Sequence, residues 1–247
     1  MIVLGFDTAT SATTVALRLP DGQVLQARDD PAPGERPRHS SLVLAFAHRL
    51  LGQAGLSWSE VGLIAVGRGP GTFTGLRIGV STARALGQAT GIRVVGVSTL
   101  RILAARVTAV AAQEAGVSPG AQTSSAEPEP PVLAVVDARR GEAFAAAYRG
   151  ARQLVSPRAV APQSLAGLVV SAGAPDSRWL AVGDGAVRFR TELEAGRVSV
   201  APGDSSLHRV DAGTLCRLAA KESGPLDSPV LPTYLRPPDA EIALRRR

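Results

Sequence analysis

The sequence predicts an α/β protein made of two copies of one unit, and three observations carry that expectation. Apolar runs at residues 2–6 and 133–136 each end in an aspartate, Asp7 and Asp137. A turn and a second strand-like run follow each aspartate, at residues 13–19 and 142–148. Behind each hairpin, helical and strand-like segments alternate, the signature of helices laid on a largely parallel sheet.

Each element has its own local reason. Pro20, Asp21 and Gly22 supply turn chemistry between the second strand and a third at residues 23–27. After a Pro-rich loop at 31–37, Ser40 or Ser41 is placed to cap a helix reaching Ala54. Residues 63–66 form a short buried strand, 73–90 a helix and 93–97 a further strand, after which Ser98 is placed to cap a helix reaching about residue 115. Residues 116–131 shift to Pro, Ser, Ala, Gly and Glu, the composition of an exposed insertion with nothing to bury. In the second half, Pro162 suits the first turn of a helix, and residues 179–182 read as a strand. This places one subdomain at 1–100 and a second, degenerate one at 101–247, with a C-terminal segment free to return to the first.

Composition narrows the function classes. A hydrophobic share of 45% in 247 residues suffices for one large or two small cores, so wholesale disorder is not expected. No apolar run reaches membrane-spanning length, and residues 1–7 lack the basic stretch and cleavage site of a signal peptide, which points to the cytoplasm and away from membranes. The single cysteine, Cys216, forms no internal disulfide and reads as a buried thiol. A net charge of +6 would suit nucleic acid, but Lys221 is the only lysine in an Ala-, Arg- and Gly-rich chain, and genome composition explains that bias equally well. Arg245, Arg246 and Arg247 read as a solvated basic tail.

The most distinctive run is Gly67-Arg68-Gly69-Pro70-Gly71-Thr72-Phe73-Thr74-Gly75-Leu76-Arg77-Ile78-Gly79. A Walker A loop needs a lysine where Leu76 stands, and a dinucleotide fingerprint needs a glycine where Thr72 stands. What remains is a strand, a tight turn, and a helix whose Thr-capped first turn could attract an anion or be purely structural. Inside that helix Gly75, Gly79 and Gly87 each cost about 1 kcal/mol in propensity, which suggests close packing against another helix, with Ser81, Ala83, Ala85 and Ala89 adding small neighbours. The preceding helix shows an apolar arc of about 200° running from Leu42 through Phe46, Leu50 and Leu51 to Leu44, wider than a one-sided helix needs.

The duplicated strand-Asp-hairpin unit resembles the ribonuclease H-like halves of the actin-like ATPase superfamily, in which nucleotide lies between the halves. That resemblance makes Asp7, Thr8, Thr10, Asp137, Gly183 and Asp184 a degenerate nucleotide cleft. The glycine run, together with Gly96-Val97-Ser98-Thr99-Leu100, residues 6–10, Asp137-Ala138-Arg139 with Gly141-Glu142, and Pro232-Thr233-Tyr234-Leu235-Arg236, is similar to the signature of the TsaB (YeaZ) family across most of the chain. The resemblance implies a non-catalytic scaffold that pairs with its paralogue TsaD, is joined by the ATPase TsaE, and self-associates when alone. It implies that the complex modifies tRNAs reading codons that begin with A, so that tRNA is met indirectly and any ATP or ADP with magnesium belongs to the complex. It further implies that the two helices form the partner face, through Leu44, His48, Leu51, Thr74, Arg77, Ile78, Gly79, Ser81, Thr82 and Ala85. The catalytic paralogue's metal pair, two histidines four apart on a helix, cannot be supplied by His39, His48 and His208. His39 reads as a loop or cap residue instead.

Two other readings stay open at this point. A stand-alone phosphotransferase would use Asp7 and Asp137 around magnesium, and ATP calorimetry would reveal it. A peptidase would need a Ser/His/Asp set or a zinc motif, neither of which the spacing supplies.

Overall fold

A computed structural model describes residues 1–32, 34–114, 129–173, 177–222 and 229–236. Most of the insertion expected at 116–131, and the basic tail, lie outside the described residues. Strands β1 (Ile2–Asp7), β2 (Thr13–Arg18) and β3 (Val24–Asp29) form an antiparallel meander. Helix α1 (His39–Ala54) leads to β4 (Val61–Gly67), which pairs parallel to β1, and α2 (Phe73–Thr90) leads to β5 (Val94–Val97), parallel to β4. The first sheet therefore has the order β3-β2-β1-β4-β5.

The second sheet repeats that order. After α3 (Thr99–Glu114), strands β6 (Val132–Asp137), β7 (Ala143–Arg149) and β8 (Arg152–Val160) form another meander. A 3-10 turn opening at Pro162 and α4 (Leu165–Ser171) precede β9 (Leu180–Val182), which pairs parallel to β6. Helices α5 (Asp184–Arg188) and α6 (Arg190–Ala195), strand β10 (Ser199–Val200) and helix α7 (Ala212–Ala219) complete it, giving β10-β9-β6-β7-β8.

Alternation along the strands divides the apolar side chains into three cores. Leu4, Phe6, Val15, Leu17, Ile64 and Val66 face α1 and α2. Leu133, Val135, Ala145 and Ala181 face the α4–α6 side, around Trp179 and Leu193. Between the two sheets the largest core joins Val3, Leu63 and Val97 to Val136, Phe144 and Tyr148 through the side chains of α3 and α7. The helix that follows each sheet packs on the other one: α3 contacts β6 and β7, while α7 lies on β1 and β2. Cys216 of α7 sits under the first sheet, and a Cβ on Gly5 would come within 2.5 Å of its sulfur, so the strand is glycine where the helix crosses. Burial pushes the Cys216 thiol up to about 12, which leaves it protonated and inert.

Three expected caps are corrected. Helix α1 begins at His39, so Ser40 and Ser41 lie inside it, and the Ser41 hydroxyl donates to the Arg38 carbonyl. Thr72 occupies the N-cap of α2 in extended conformation without a side-chain cap bond. Ser98 stands before α3, but its buried hydroxyl lies against the Tyr148 hydroxyl and makes no cap bond. Strand β8, for which the sequence reading gave no element, carries Pro157 and lies at the sheet edge, where a missing N–H is tolerated. Helices α5 to α7 have at most eight residues each, too short for a periodic pattern to show.

Candidate functional site

The glycine run closes over the turn that follows β1. A Cβ on Gly67 would stand 1.7 Å from Asp7 Oδ2, and one on Gly71 would stand 2.2 Å from the Ala9 carbonyl oxygen. The Thr72 N–H, at the N-cap of α2, donates to that same carbonyl at 2.7 Å and ties the start of the helix to the turn after β1. Gly75 and Gly79 continue the contact: Cβ atoms there would lie 1.9 Å from the Thr8 carbonyl oxygen and 2.4 Å from Thr8 Oγ1. Gly87 is closed off by Val94 and the Ile92 carbonyl. The helical glycines thus admit strand and turn backbone of their own subdomain, correcting the expectation that they admit another helix.

Asp7 is fully buried. Its Oδ1 accepts from Ala9 N at 2.8 Å and its Oδ2 from the Thr99 hydroxyl at 2.9 Å. Burial raises its pKa, against the lowering effect of those two hydrogen bonds. Asp137 sits in the equivalent place after β6, with its Oδ1 accepting from Arg139 N at 2.8 Å. Its Oδ2 is met by Arg188 at 2.8 Å and Arg139 at 3.3 Å. Magnesium keeps several waters in octahedral geometry. Neither carboxylate fits that requirement, because Asp7 is walled in by Gly67 and Asp137 is engaged by two guanidinium groups. No cluster of three or more His, Cys, Asp or Glu side chains suited to a metal occurs among the described residues.

The cleft residues separate accordingly. Thr8 is buried, its hydroxyl donating to the Gly75 carbonyl at 2.7 Å, and Gly183 is buried against the Val135 carbonyl, so neither lines an open site. Thr10 and Asp184 do share a cavity of about 290 Å³ between the halves, together with Ser11, Arg28, Asp30 and Arg209. Asp184 turns its Oδ1 inward to accept from Asp137 N at 3.1 Å and Gly185 N at 2.8 Å.

The α1/α2 side differs in kind. Leu44 is 45% exposed, and His48 of α1 and Thr74, Arg77, Ser81 and Ala85 of α2 are exposed as well. Positions 74, 77, 81 and 85 fall on one side of α2 by helical spacing. Ile78 and Thr82 are half-buried. Leu51 and Gly79 are interior, Leu51 being 2% exposed, and are corrected as surface residues. His39 is buried with Nδ1 2.9 Å from the Thr13 hydroxyl, and burial holds its pKa below the usual imidazole range.

The C-terminal segment expected to return to the first subdomain is the neighbour of this face, though its place on α2 was not specified by the sequence. Residues 229–236 lie across the start of α2: the Thr233 N–H donates to the Arg68 carbonyl at 2.7 Å, Tyr234 packs on Phe73 at 5.2 Å between ring centroids, and Arg236 pairs with Glu142 at 2.7 Å. The Pro-Thr-Tyr-Leu-Arg run was visible in sequence, but no periodicity could place it against α2.

Two sheets of identical order, each opened by a strand ending in aspartate, define an actin-like α/β protein. A ROK hexokinase from Thermus thermophilus shares this fold, with 14% identity, a TM-score of 0.50, and coverage of 90% of this chain and all of that one. The sequence model of the family described as "TsaD: tRNA N6-adenosine threonylcarbamoyltransferase" matches residues 35–209. YeaZ from Pseudomonas aeruginosa superposes over 95% of this chain and 99% of its own with a TM-score of 0.70 and 31% identity. The Escherichia coli "tRNA threonylcarbamoyladenosine biosynthesis protein TsaB" is 37% identical over 60% of this chain, and the chain spans 55% of that protein's length. An uncharacterized Mycobacterium tuberculosis protein, Rv3421c, is 31% identical over 97% of this chain and 93% of its own. This chain belongs to the TsaB (YeaZ) family, within the broader group that includes TsaD.

Proposed function

We propose that the chain serves threonylcarbamoyladenosine formation on tRNAs that read codons beginning with A, as a non-catalytic subunit. It docks through the α1/α2 face onto a TsaD paralogue, is joined by TsaE, and pairs with itself when alone. The observation that carries this reading is a contrast: the two strand-end carboxylates are occupied by protein groups, while α1 leaves Leu44 exposed and α2, which packs against α1, exposes Ser81 and Ala85. Burying apolar surface is worth about 25 cal/mol per Å² before association costs.

The test mixes this chain with the TsaD paralogue of the same organism and follows complex formation by size exclusion. Leu44→Glu is expected to weaken pairing at least about tenfold, because it places a charge in an apolar contact, while leaving the thermal melt of the single chain unchanged. Threonylcarbamoyl transfer should require the paralogue. Transfer by this chain alone, or pairing indifferent to Leu44→Glu, would refute the reading. ATP or ADP with magnesium is assigned to the assembled complex; calorimetric binding of MgATP to the isolated chain would favour a stand-alone phosphotransferase instead.

A further inference from the structure

We infer that the edge of the second half formed by the β6–β7 turn and the end of α5 holds the phosphodiester backbone of RNA, so that this chain touches tRNA itself. The inference rests on the tRNA-modification role proposed above and adds a contact to it, on elements that take no part in the α1/α2 face. Composition makes arginine common throughout this chain, but it does not explain arginine where the backbone favours glycine. Among the described residues only three non-glycine residues take left-handed backbone, and two of them are the consecutive Arg139 and Arg140, at φ 62° and 54°, followed by Gly141 at 74°. Sterics leave that region mainly to glycine, with asparagine and aspartate next. Two long cationic side chains held there, at the exposed tip of a hairpin, point to a use outside the fold.

A third guanidinium joins them from another element. Arg188, in the last turn of α5, and Arg139 both reach Oδ2 of Asp137, at 2.8 and 3.3 Å, so one carboxylate serves two cations. Asp137 is the inner member of the group, its side chain 8% exposed against 59% for Arg139 and 48% for Arg188, so the surface shown to solvent is cationic. The neighbouring carboxylates are already engaged. Asp184 Oδ1 accepts from the main-chain N–H groups of Asp137 and Gly185, and Glu142 pairs with Arg236 at 2.7 Å.

The incoming anion must therefore be supplied from outside. Guanidinium forks match phosphate oxygens in pairs, and contacts of that kind position a nucleic acid without reading its bases. The modification proposed above brings a line of phosphates to the assembly, and a projecting turn with a second guanidinium source beside it suits such a line.

The experiment measures the dissociation constant of the assembled complex with the TsaD paralogue for a transcript of a tRNA reading codons that begin with A, between about 50 and 300 mM NaCl. Arg139→Gly combined with Arg140→Gly is expected to weaken binding at least about fivefold at the lower salt and to flatten the slope of log Kd against log salt by about 1–2. The melting temperature of the single chain should hold or rise in the same variant, because glycine relieves the left-handed backbone. Arg188→Gln should weaken binding about two- to fivefold, and Arg188→Lys less. A purely structural role for these arginines gives the reverse, a lower melting temperature with tRNA binding unchanged. Unchanged affinity and slope in a complex that still assembles overturn this inference and leave the pairing role standing. Loss of assembly with the paralogue or with TsaE in these variants, at unchanged tRNA affinity, assigns the edge to a protein and overturns it as well. If the unsubstituted chain forms no complex with the paralogue, the proposed function fails and takes this inference with it.

Discussion

The Thr8 hydroxyl donates to the main-chain carbonyl of Gly75 at 2.7 Å, joining the turn after the first strand to the first full turn of α2. That contact is possible only because residues 75 and 79 lack a Cβ. Helix propensity alone says that Gly75→Ala should stabilise by about 1 kcal/mol. A methyl group 1.9 Å from the Thr8 carbonyl says the reverse, because overpacking costs about 1–3 kcal/mol and here the obstacle is backbone. Net destabilisation of up to about 2 kcal/mol is expected, read as a lower urea midpoint. An increase would show that the turn yields freely.

Asp7 gives a pH-dependent prediction. Its pKa is raised by burial, so the folded state holds the proton more tightly than the unfolded state. Stability from this group is fully present below the unfolded value of about 3.9 and is lost as pH rises through the raised folded value. Asp7→Asn keeps an oxygen for Ala9 N, and the Thr99 hydroxyl can turn to accept from the new amide. The variant should be about 1 kcal/mol more stable than the parent at pH 7, with the difference vanishing near pH 3. A less stable variant at pH 7 would mean that the charge itself is needed.

How much of this was legible in the sequence depended on the range of the interaction. The aspartates closing β1 and β6, the first meander, the β6–β7 hairpin and the bounds of α2 follow from local pattern. The role of the helical glycines did not, because what a missing Cβ admits is set by the fold: Thr8 is 67 residues from Gly75. Leu51 and Leu44 read alike as members of one apolar arc, yet Leu51 is 2% and Leu44 45% exposed. Periodicity gives the arc; only packing says where the core stops.

Asp211 works with the opposite sign from Asp7. Its Oδ2 accepts from Thr214 N and the Thr214 hydroxyl, both at 2.6 Å, capping α7, and its Oδ1 meets Arg106 of α3 at 2.7 Å. Burial alone would raise its pKa, but the Thr214 hydroxyl and then Arg106 bring it below the ordinary value. Its contribution is therefore present above about pH 3.9 and disappears as pH falls through the lowered folded value. Asp211→Ala removes a cap and leaves Arg106 without its carboxylate, a loss of about 2–4 kcal/mol at pH 7. Asp211→Asn retains a capping oxygen and should lose less. Thermal melts at pH 7 and pH 3 check both, and equal losses at the two values would rule out the charge.

Residues 229–236 bridge the halves, resting on Gly96 and Arg68 of the first and reaching Glu142 of the second through Arg236. A Cβ on Gly96 would come 2.6 Å from Val230, so Gly96→Val should lift this segment without entering the core. Tyr234→Ala removes one ring of an aromatic pair that is itself 42% exposed, a loss of about 1 kcal/mol. The Arg236–Glu142 pair is partly solvated and should contribute less than about 1 kcal/mol. Val230 and Leu235 are only partly buried where they pack against the cores, so losing these contacts should release the segment locally without unfolding the domain. Amide exchange at Thr233 is expected to accelerate at least about tenfold in Gly96→Val, while the global urea midpoint shifts little. Uniform acceleration across β1 and β4 would instead make the segment part of the cooperative core, and Gly96 a core position.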